Sequence, residues 1–444
     1  MSWKIYKDHI SKTISLALPV CFGQLGHIFV GVTDAAFVGQ IGPNEQAAVS
    51  LAGSLYVLVL VFALGISMGV TPLVAEAVAE KDKIKSLLKN GLVVNLLVGT
   101  CLFLLLLFIS PLLYHFDQPP LVVQLAIPFL TVMTFSMIPL SLYSTFKQFA
   151  EGLSFTTAAM VISLSANLLN IVLNYVLVFG HWGFPEMGLM GSCWASFIAR
   201  CMMAISMFLF VFYNSDLKPY WYKFREVRLS WDISKKIMAI GIPSGMQWVF
   251  EIGAFSFAIL MIGWIGVKEQ AAHLVAISLA AVTYMFASGI GAAVAVRVGN
   301  HLGLKDKLGI RQAGFSAFIV VLVFMFICAV MFILLRNELP SYFSKESDVI
   351  EIASSLLIIA AIFQLGDGLQ VVALGALRGL QDTVWPTVIA LIAYWIIGLP
   401  VSYLLAFKLN YGVQGIWWGL CAGLFAAALL LFLRFNAVSR KVIE

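Results

Sequence analysis

The sequence predicts an all-α integral membrane protein: twelve transmembrane helices in two parallel six-helix bundles related by a pseudo-twofold axis. The prediction rests on an apolar composition, twelve apolar runs of membrane-spanning length, and a tandem repeat with an even number of runs in each copy. Of 444 residues, 61% are hydrophobic and 11% charged, against roughly 25% charged in ordinary soluble chains. Apolar runs of about 20 residues suffice to cross ~30 Å of hydrocarbon. They fall near 14–39, 46–72, 90–114, 122–145, 157–180, 187–213, 237–264, 270–295, 312–335, 348–374, 384–407 and 411–433.

The repeat has an offset of 224 residues. Pro19 pairs with Pro243, Glu45-Gln46-Ala47-Ala48 with Glu269-Gln270-Ala271-Ala272, Gly65 with Gly289, Lys81-Asp82-Lys83 with Lys305-Asp306-Lys307, and Gly188 and Gly191 with Gly412 and Gly415. Between these blocks the offset drifts to 227, where Glu151-Gly152-Leu153 matches Arg378-Gly379-Leu380. Six spans per copy give both copies the same orientation, so the repeats are parallel and related by an axis along the membrane normal. That arrangement predicts a cavity between the bundles and alternating access around mid-membrane sites. The chain divides into an N-lobe (1–213), a linker (214–236) with six basic residues and several aromatics suited to the headgroup level, and a C-lobe (237–444).

Basic residues set the orientation, because Lys and Arg resist translocation. The N-terminus, 73–89, 146–156, 214–236, 296–311, 375–383 and the C-terminal tail carry 22 of them, and the opposite loops carry four, Lys268, Arg336, Lys345 and Lys408. Both termini are therefore expected in the cytoplasm. The net charge of +5 follows from topology and does not call for nucleic acid. The first span is expected to serve as its own insertion signal. All six cysteines fall in spans without metal-ligand spacing and read as small core residues.

Chemistry is expected where an acid lies inside a span, since each costs ~2.5–3.5 kcal/mol at the bilayer centre. Three qualify: Asp34 in the first span, Glu251 in the seventh and Asp367 in the tenth. Other acids, Glu151 among them, sit at span edges where water is expected to reach them. The three break the repeat, since Asp34 faces Ala258, Glu251 faces His27, and Asp367 falls against Leu140 on the shifted offset. Asn170 and Asn174, spaced i and i+4 on the fifth span, with Ser196 on the sixth, make Asp34 part of an oxygen-rich cation site. Na⁺ would suit Asp34, Asn170 and Asn174 as hard ligands, and a proton on Asp34 is the alternative. Glu251 and Asp367 form a second cluster with Gln247, Gln364 and Gln370; two facing carboxylates repel, and a proton, Na⁺ or an organic cation relieves the repulsion. Arg200, one turn after Ser196, either partners an acid, snorkels or caps carbonyls. Pro19 and Pro243 lack an amide donor and favour a helix bend; a bend at Pro19 that changes during transport is the functional reading.

Enzyme motifs fail on context. Gly65-Ile66-Ser67-Met68-Gly69 spells G-x-S-x-G inside an apolar helix, whereas a nucleophile elbow needs a strand, a turn and a helix. No H-E-x-x-H, Walker A loop or dinucleotide fingerprint occurs.

Taken together, Gly31-Val32-Thr33-Asp34, Asn170-Ile171-Val172-Leu173-Asn174-Tyr175, Pro243 through Glu251, and Gly366-Asp367 followed by Leu377-Arg378-Gly379 resemble multidrug and toxic compound extrusion (MATE) transporters, most closely the NorM-like branch. The resemblance covers essentially the whole chain. It implies a multi-pass protein of the bacterial inner membrane and a Na⁺- or H⁺-coupled antiporter of amphipathic, often cationic compounds. On this reading no enzyme activity, cofactor or nucleic-acid partner is expected, only membrane lipid and small-molecule substrates around a monomer. The N-lobe pattern Asp34, Asn170, Asn174 and Ser196 would bind the cation, and Glu251 and Asp367 would take part in coupling. One departure is Phe363, where sodium-linked members tend to carry a tyrosine. A lipid-linked or polysaccharide flippase of related architecture is the alternative; such proteins favour a basic cavity, for which only Arg200 is available.

Overall fold

The computed structural model describes residues 3–115, 118–222 and 224–441. Among these, twelve helices are long and apolar enough to cross a bilayer. Lipid offers no hydrogen-bond partner, so each crossing segment satisfies its backbone internally as a helix. The spans are α1 (Tyr6–Ile41), α2 (Pro43–Glu76), α3 (Lys81–His115), α4 (Pro120–Gly152), α5 (Thr156–Phe179) and α6 (Leu189–Tyr213) in the first copy. The second copy contributes α7 (Trp231–Gly263), α8 (Val267–Gly303), α9 (Lys307–Leu334), α10 (Ser347–Gly379), α11 (Val384–Lys408) and α12 (Gly412–Lys441). Most run several residues past the apolar stretches, because helical turns continue into the polar zone where hydropathy no longer marks them.

Breaks within spans have local causes. In α2 the helix stops at Ser67 and resumes at Val70, so the G-x-S-x-G stretch lies at an interruption and not within continuous helix. Ser67 is buried and donates to the Leu64 carbonyl at 2.7 Å, which leaves its hydroxyl within its own helix. In α4 the break falls at Ser136, between Pro120–Phe135 and Met137–Gly152. α11 widens into π-helical turns at Ile392–Gly398 and Leu404–Lys408, on either side of the segment bearing Pro400.

The chain forms two compact units, Phe22–Gly245 and Met1–Cys21 with Met246–Glu444. The divisions lie inside α1 and α7, two residues past Pro19 and Pro243, and not in the 214–236 linker. Each unit therefore takes the opening turns of the first span of the other copy. Within the Phe22–Gly245 unit, a Cβ on Gly65 would land on the Gly245 backbone, with the Gly245 nitrogen at 2.5 Å. In the other unit a Cβ on Gly289 would fall 2.8 Å from the backbone nitrogen of Cys21. Cys21 and Gly245 are themselves 224 residues apart, so both units make the same close helix approach, which small residues permit. Arg297, 5% exposed, donates to the His9 carbonyl at 2.7 Å and holds the start of α1 within its unit.

Backbone conformation follows both offsets. Gly188 and Gly412 take φ of +52° and +57°. Ser154 and Gln381, each just after the segments matched at 227, take +71° and +61°. The linker packs on the Phe22–Gly245 unit: Trp221 sits 5.5 Å from Phe208, and Lys89 donates to the Val227 carbonyl at 2.6 Å. All six cysteines are free; Cys21, Cys193 and Cys421 are buried as expected, whereas Cys101 is exposed.

Candidate functional site

The structure brings Asp34, Asn170, Asn174 and Ser196 together within the Phe22–Gly245 unit. Asn174 donates through Nδ2 to Asp34 Oδ1 at 2.8 Å, and Ser196 Oγ donates to Asp34 Oδ2 at 3.2 Å. Behind them, Asn170 Nδ2 reaches Ser196 Oγ at 3.3 Å, and Asn174 Nδ2 lies 3.2 Å from Asn170 Oδ1. The i, i+4 spacing on α5 stacks the two amides on one face, and α6 supplies the hydroxyl. Both asparagines are buried, at 2% and 0% exposure. Their amide groups face the carboxylate with donors, so it is held as an acceptor. Asn174 Oδ1 is buried and has no hydrogen-bond partner, an acceptor whose need a cation beside Asp34 would meet. Asn167, three residues before Asn170, has a buried Nδ2 without a hydrogen-bond partner, and the side chain of His27 lies outside the described residues.

Arg200 does not snorkel. Its guanidinium is hydrogen-bonded to the Tyr56 hydroxyl and to Ser136 at the break in α4, and it lies over the Tyr56 ring at 5.3 Å from the centroid. Neither Tyr56 nor Ser136 stood out in the sequence, because a tyrosine or serine in an apolar run gives no signal of what it faces.

The second cluster lies within the other unit. Glu251 and Asp367 are 8% and 6% exposed and within Coulombic reach of each other. Gln247 Nε2 is 3.5 Å from Glu251 Oε2. Gln364 is buried with both amide atoms unpartnered, and Gln370 Nε2 is unpartnered too, so the region holds polar capacity that its own side chains leave unused. The π-turn of α11 adds Tyr394, whose hydroxyl donates to Gln370 Oε1 at 2.8 Å and lies against Glu251. Tyr394 escaped the sequence reading because π-helical register cannot be read from apolar periodicity. Phe363 packs 6.1 Å from Phe255 and 5.6 Å from Trp417. Arg378 acts electrostatically on Glu251.

Glu151 corrects the expectation of a hydrated edge. It is 5% exposed and paired with Lys147 one turn earlier at 3.8 Å.

The fold and these intramembrane clusters define a polytopic all-helical membrane protein built from a duplicated six-span segment. A family model, MatE, matches residues 19–176 and 243–404, two blocks that begin at the paired prolines. The chain belongs to the MatE family. It is 32% identical to the multidrug resistance protein NorM of Photobacterium profundum over 442 residues, covering 97% of this chain and 96% of the relative. A probable multidrug resistance protein NorM of Rhizobium meliloti is also 32% identical, with 98% and 95% covered. Among solved structures, a eukaryotic MATE transporter superposes with a TM-score of 0.87 at 22% identity over 99% of both chains. An outward-facing multidrug resistance MATE family transporter gives 0.88 at 17% identity, with 98% and 96% covered.

Proposed function

We propose that this protein is a cation-coupled antiporter that exports amphipathic, often cationic compounds by alternating access across a bacterial inner membrane, with both termini in the cytoplasm. The observation that carries the reading is the Asp34 constellation: a carboxylate inside a span, held by an amide and a hydroxyl from two other spans, beside an orphaned amide oxygen. The naming of its NorM relatives as multidrug resistance proteins supports the substrate class.

Loading the site changes its hydrogen bonds whichever cation is used. A proton on Asp34 turns one carboxylate oxygen into a donor, so Ser196 or Asn174 must reorient. Na⁺ requires oxygen ligands, which rotation of the Asn174 amide would supply through Oδ1 and rotation of the Ser196 hydroxyl through its lone pairs. Either event is felt on α5 and α6 at once. Glu251 and Asp367 supply a second place where positive charge relieves repulsion, and a cationic substrate or coupling ion would compete for it. A flippase for anionic lipid-linked substrates would need free basic side chains; Arg200 is engaged with Tyr56 and Ser136, which disfavours that reading.

The test is efflux of a fluorescent lipophilic cation from reconstituted vesicles under separately imposed Na⁺ and H⁺ gradients. At least one gradient is expected to drive efflux, and Asp34→Asn, Glu251→Gln and Asp367→Asn are each expected to uncouple it. Intact gradient-driven efflux in all three would refute the mechanism.

A further inference from the structure

Arg200 is a second charge inside the spans of the Phe22–Gly245 unit. A guanidinium inside a span is as costly as an acid, and this one is held in place by Tyr56 and Ser136. It lies on α6 one turn after Ser196, whose hydroxyl donates to Asp34, and its charge acts on the Asp34 carboxylate.

The duplication supplies an independent observation. Around α6 and α12 the 224 offset is fixed by Gly188/Gly412 and Gly191/Gly415, so Ser196 corresponds to Leu420 and Arg200 to Leu424. Asp34 corresponds to Ala258 and Tyr56 to Ala280. These counterparts are all buried, and Ala258, Leu420 and Leu424 pack together in one hydrophobic cluster of their own unit. Acid, hydroxyl, cation and the phenol that braces the cation are present in one copy and apolar in the other. If Arg200 only tied α6 to α2 and α4, nothing would link its presence to that of the acid. A charge that balances Asp34 is needed only where Asp34 is.

We propose that Arg200 is the resident counter-cation of the Asp34 site: fixed by Tyr56 and Ser136, it balances the emptied carboxylate and sets how much coupling cation is needed to fill the site. The inference rests on the coupling role given to Asp34 above and adds what tunes it. A fixed positive charge disfavours Na⁺ and H⁺ alike, so the direction of the effect does not depend on which cation couples transport. Arg200 touches neither cation and is a positioning and tuning residue.

The experiment uses full-length protein in proteoliposomes, with efflux of ethidium measured against the concentration of the driving cation. Arg200→Gln, which keeps hydrogen-bonding capacity and loses charge, is expected to lower the half-maximal cation concentration about tenfold, the order of effect of removing one nearby charge at an effective dielectric constant of about 20. Arg200→Lys and Tyr56→Phe keep the charge and are expected to stay near the wild-type half-point, even if their maximal rates fall. An unshifted half-point in Arg200→Gln, or equal shifts in the Gln and Lys variants, overturns the proposal. Should Arg200→Gln fail to fold, the Asp34→Asn/Arg200→Gln double variant is expected to recover a monodisperse protein, because both charges leave together; no recovery overturns the proposal as well. Failure of the coupling role itself looks different: wild type is then unresponsive to both gradients, or Asp34→Asn leaves the concentration curve unchanged.

Discussion

The Lys147–Glu151 pair offers a sharp test of how this fold handles buried charge. The two side chains are 16% and 6% exposed, and Nζ lies 3.8 Å from Oε1. Attraction across that gap is about 4 kcal/mol at an effective dielectric constant of about 20, and desolvation of the two ions offsets most of it. The intact pair therefore adds little net stability, whereas half a pair is expensive. Lys147→Met keeps the aliphatic stem and leaves Glu151 buried without its cation; the expected loss is about 3–5 kcal/mol. Glu151→Leu strands the lysine in the same way, and the double variant is expected within about 1 kcal/mol of wild type. The assay is equilibrium unfolding in mixed micelles followed by tryptophan fluorescence, read as a double-mutant cycle. The reasoning fails if Lys147→Met unfolds with the wild-type profile, or if the double variant loses the sum of the two single losses.

Three further outcomes are expected. Gly65→Ala drives a methyl into the Gly245 backbone, which no side-chain rotation can relieve, and should cost about 1–3 kcal/mol; an unchanged thermal midpoint would contradict the close approach. Tyr394→Phe removes the 2.8 Å bond to Gln370 Oε1 and leaves that buried acceptor unpaired, a loss of about 1–3 kcal/mol measured by the same unfolding assay. Asp306 caps α9 by accepting from the Gly309 amide at 3.0 Å, and that bond, opposed by slight burial and aided by His301, holds its carboxyl below the usual carboxylate range. A depressed carboxylate stabilises the fold above its unfolded pKa, and the contribution disappears as pH falls through the lower folded value. Asp306→Ala should therefore cost about 0.5–1 kcal/mol at neutral pH and nothing in strong acid; a cost that persists in acid would refute the assignment.

Much of the architecture is legible in the sequence because the membrane makes a simple demand. Twelve apolar runs give twelve helices, and the Asp34 cluster is readable because Asn170 and Asn174 share a helical face and acids inside spans are rare. What was hidden depends on tertiary register. The burial of Glu151 needs the helix packed against its edge, which hydropathy at a span end does not report. Tyr394 is aimed by a π-turn, and periodicity assumes an α-helix. The division of the chain at Cys21 and Gly245 was equally invisible, because an uninterrupted helix gives no compositional sign of passing from one compact unit to the next; only the linker, with its polar residues and proline, resembled a boundary.

The duplication makes each copy a folding control for the other. Features required by the helix bundle should recur, and they do: the close approach of Gly65 to Gly245 recurs as Gly289 to Cys21, and the positive-φ residues Gly188 and Ser154 recur as Gly412 and Gln381. Features absent from one copy cannot be required by the bundle, because the other copy folds without them. Asp34 with Ser196 and Arg200 meets that criterion, replaced by Ala258, Leu420 and Leu424 in a closely packed apolar cluster. Glu251 and Asp367 meet it in the opposite sense, with His27 and Leu140 as counterparts, and Leu140 lines a small pocket with Ser67, Asn95 and Ser141. The asymmetry therefore separates the scaffold shared by both copies from the buried polar groups particular to one, and the two acid clusters fall on the second side in opposite copies.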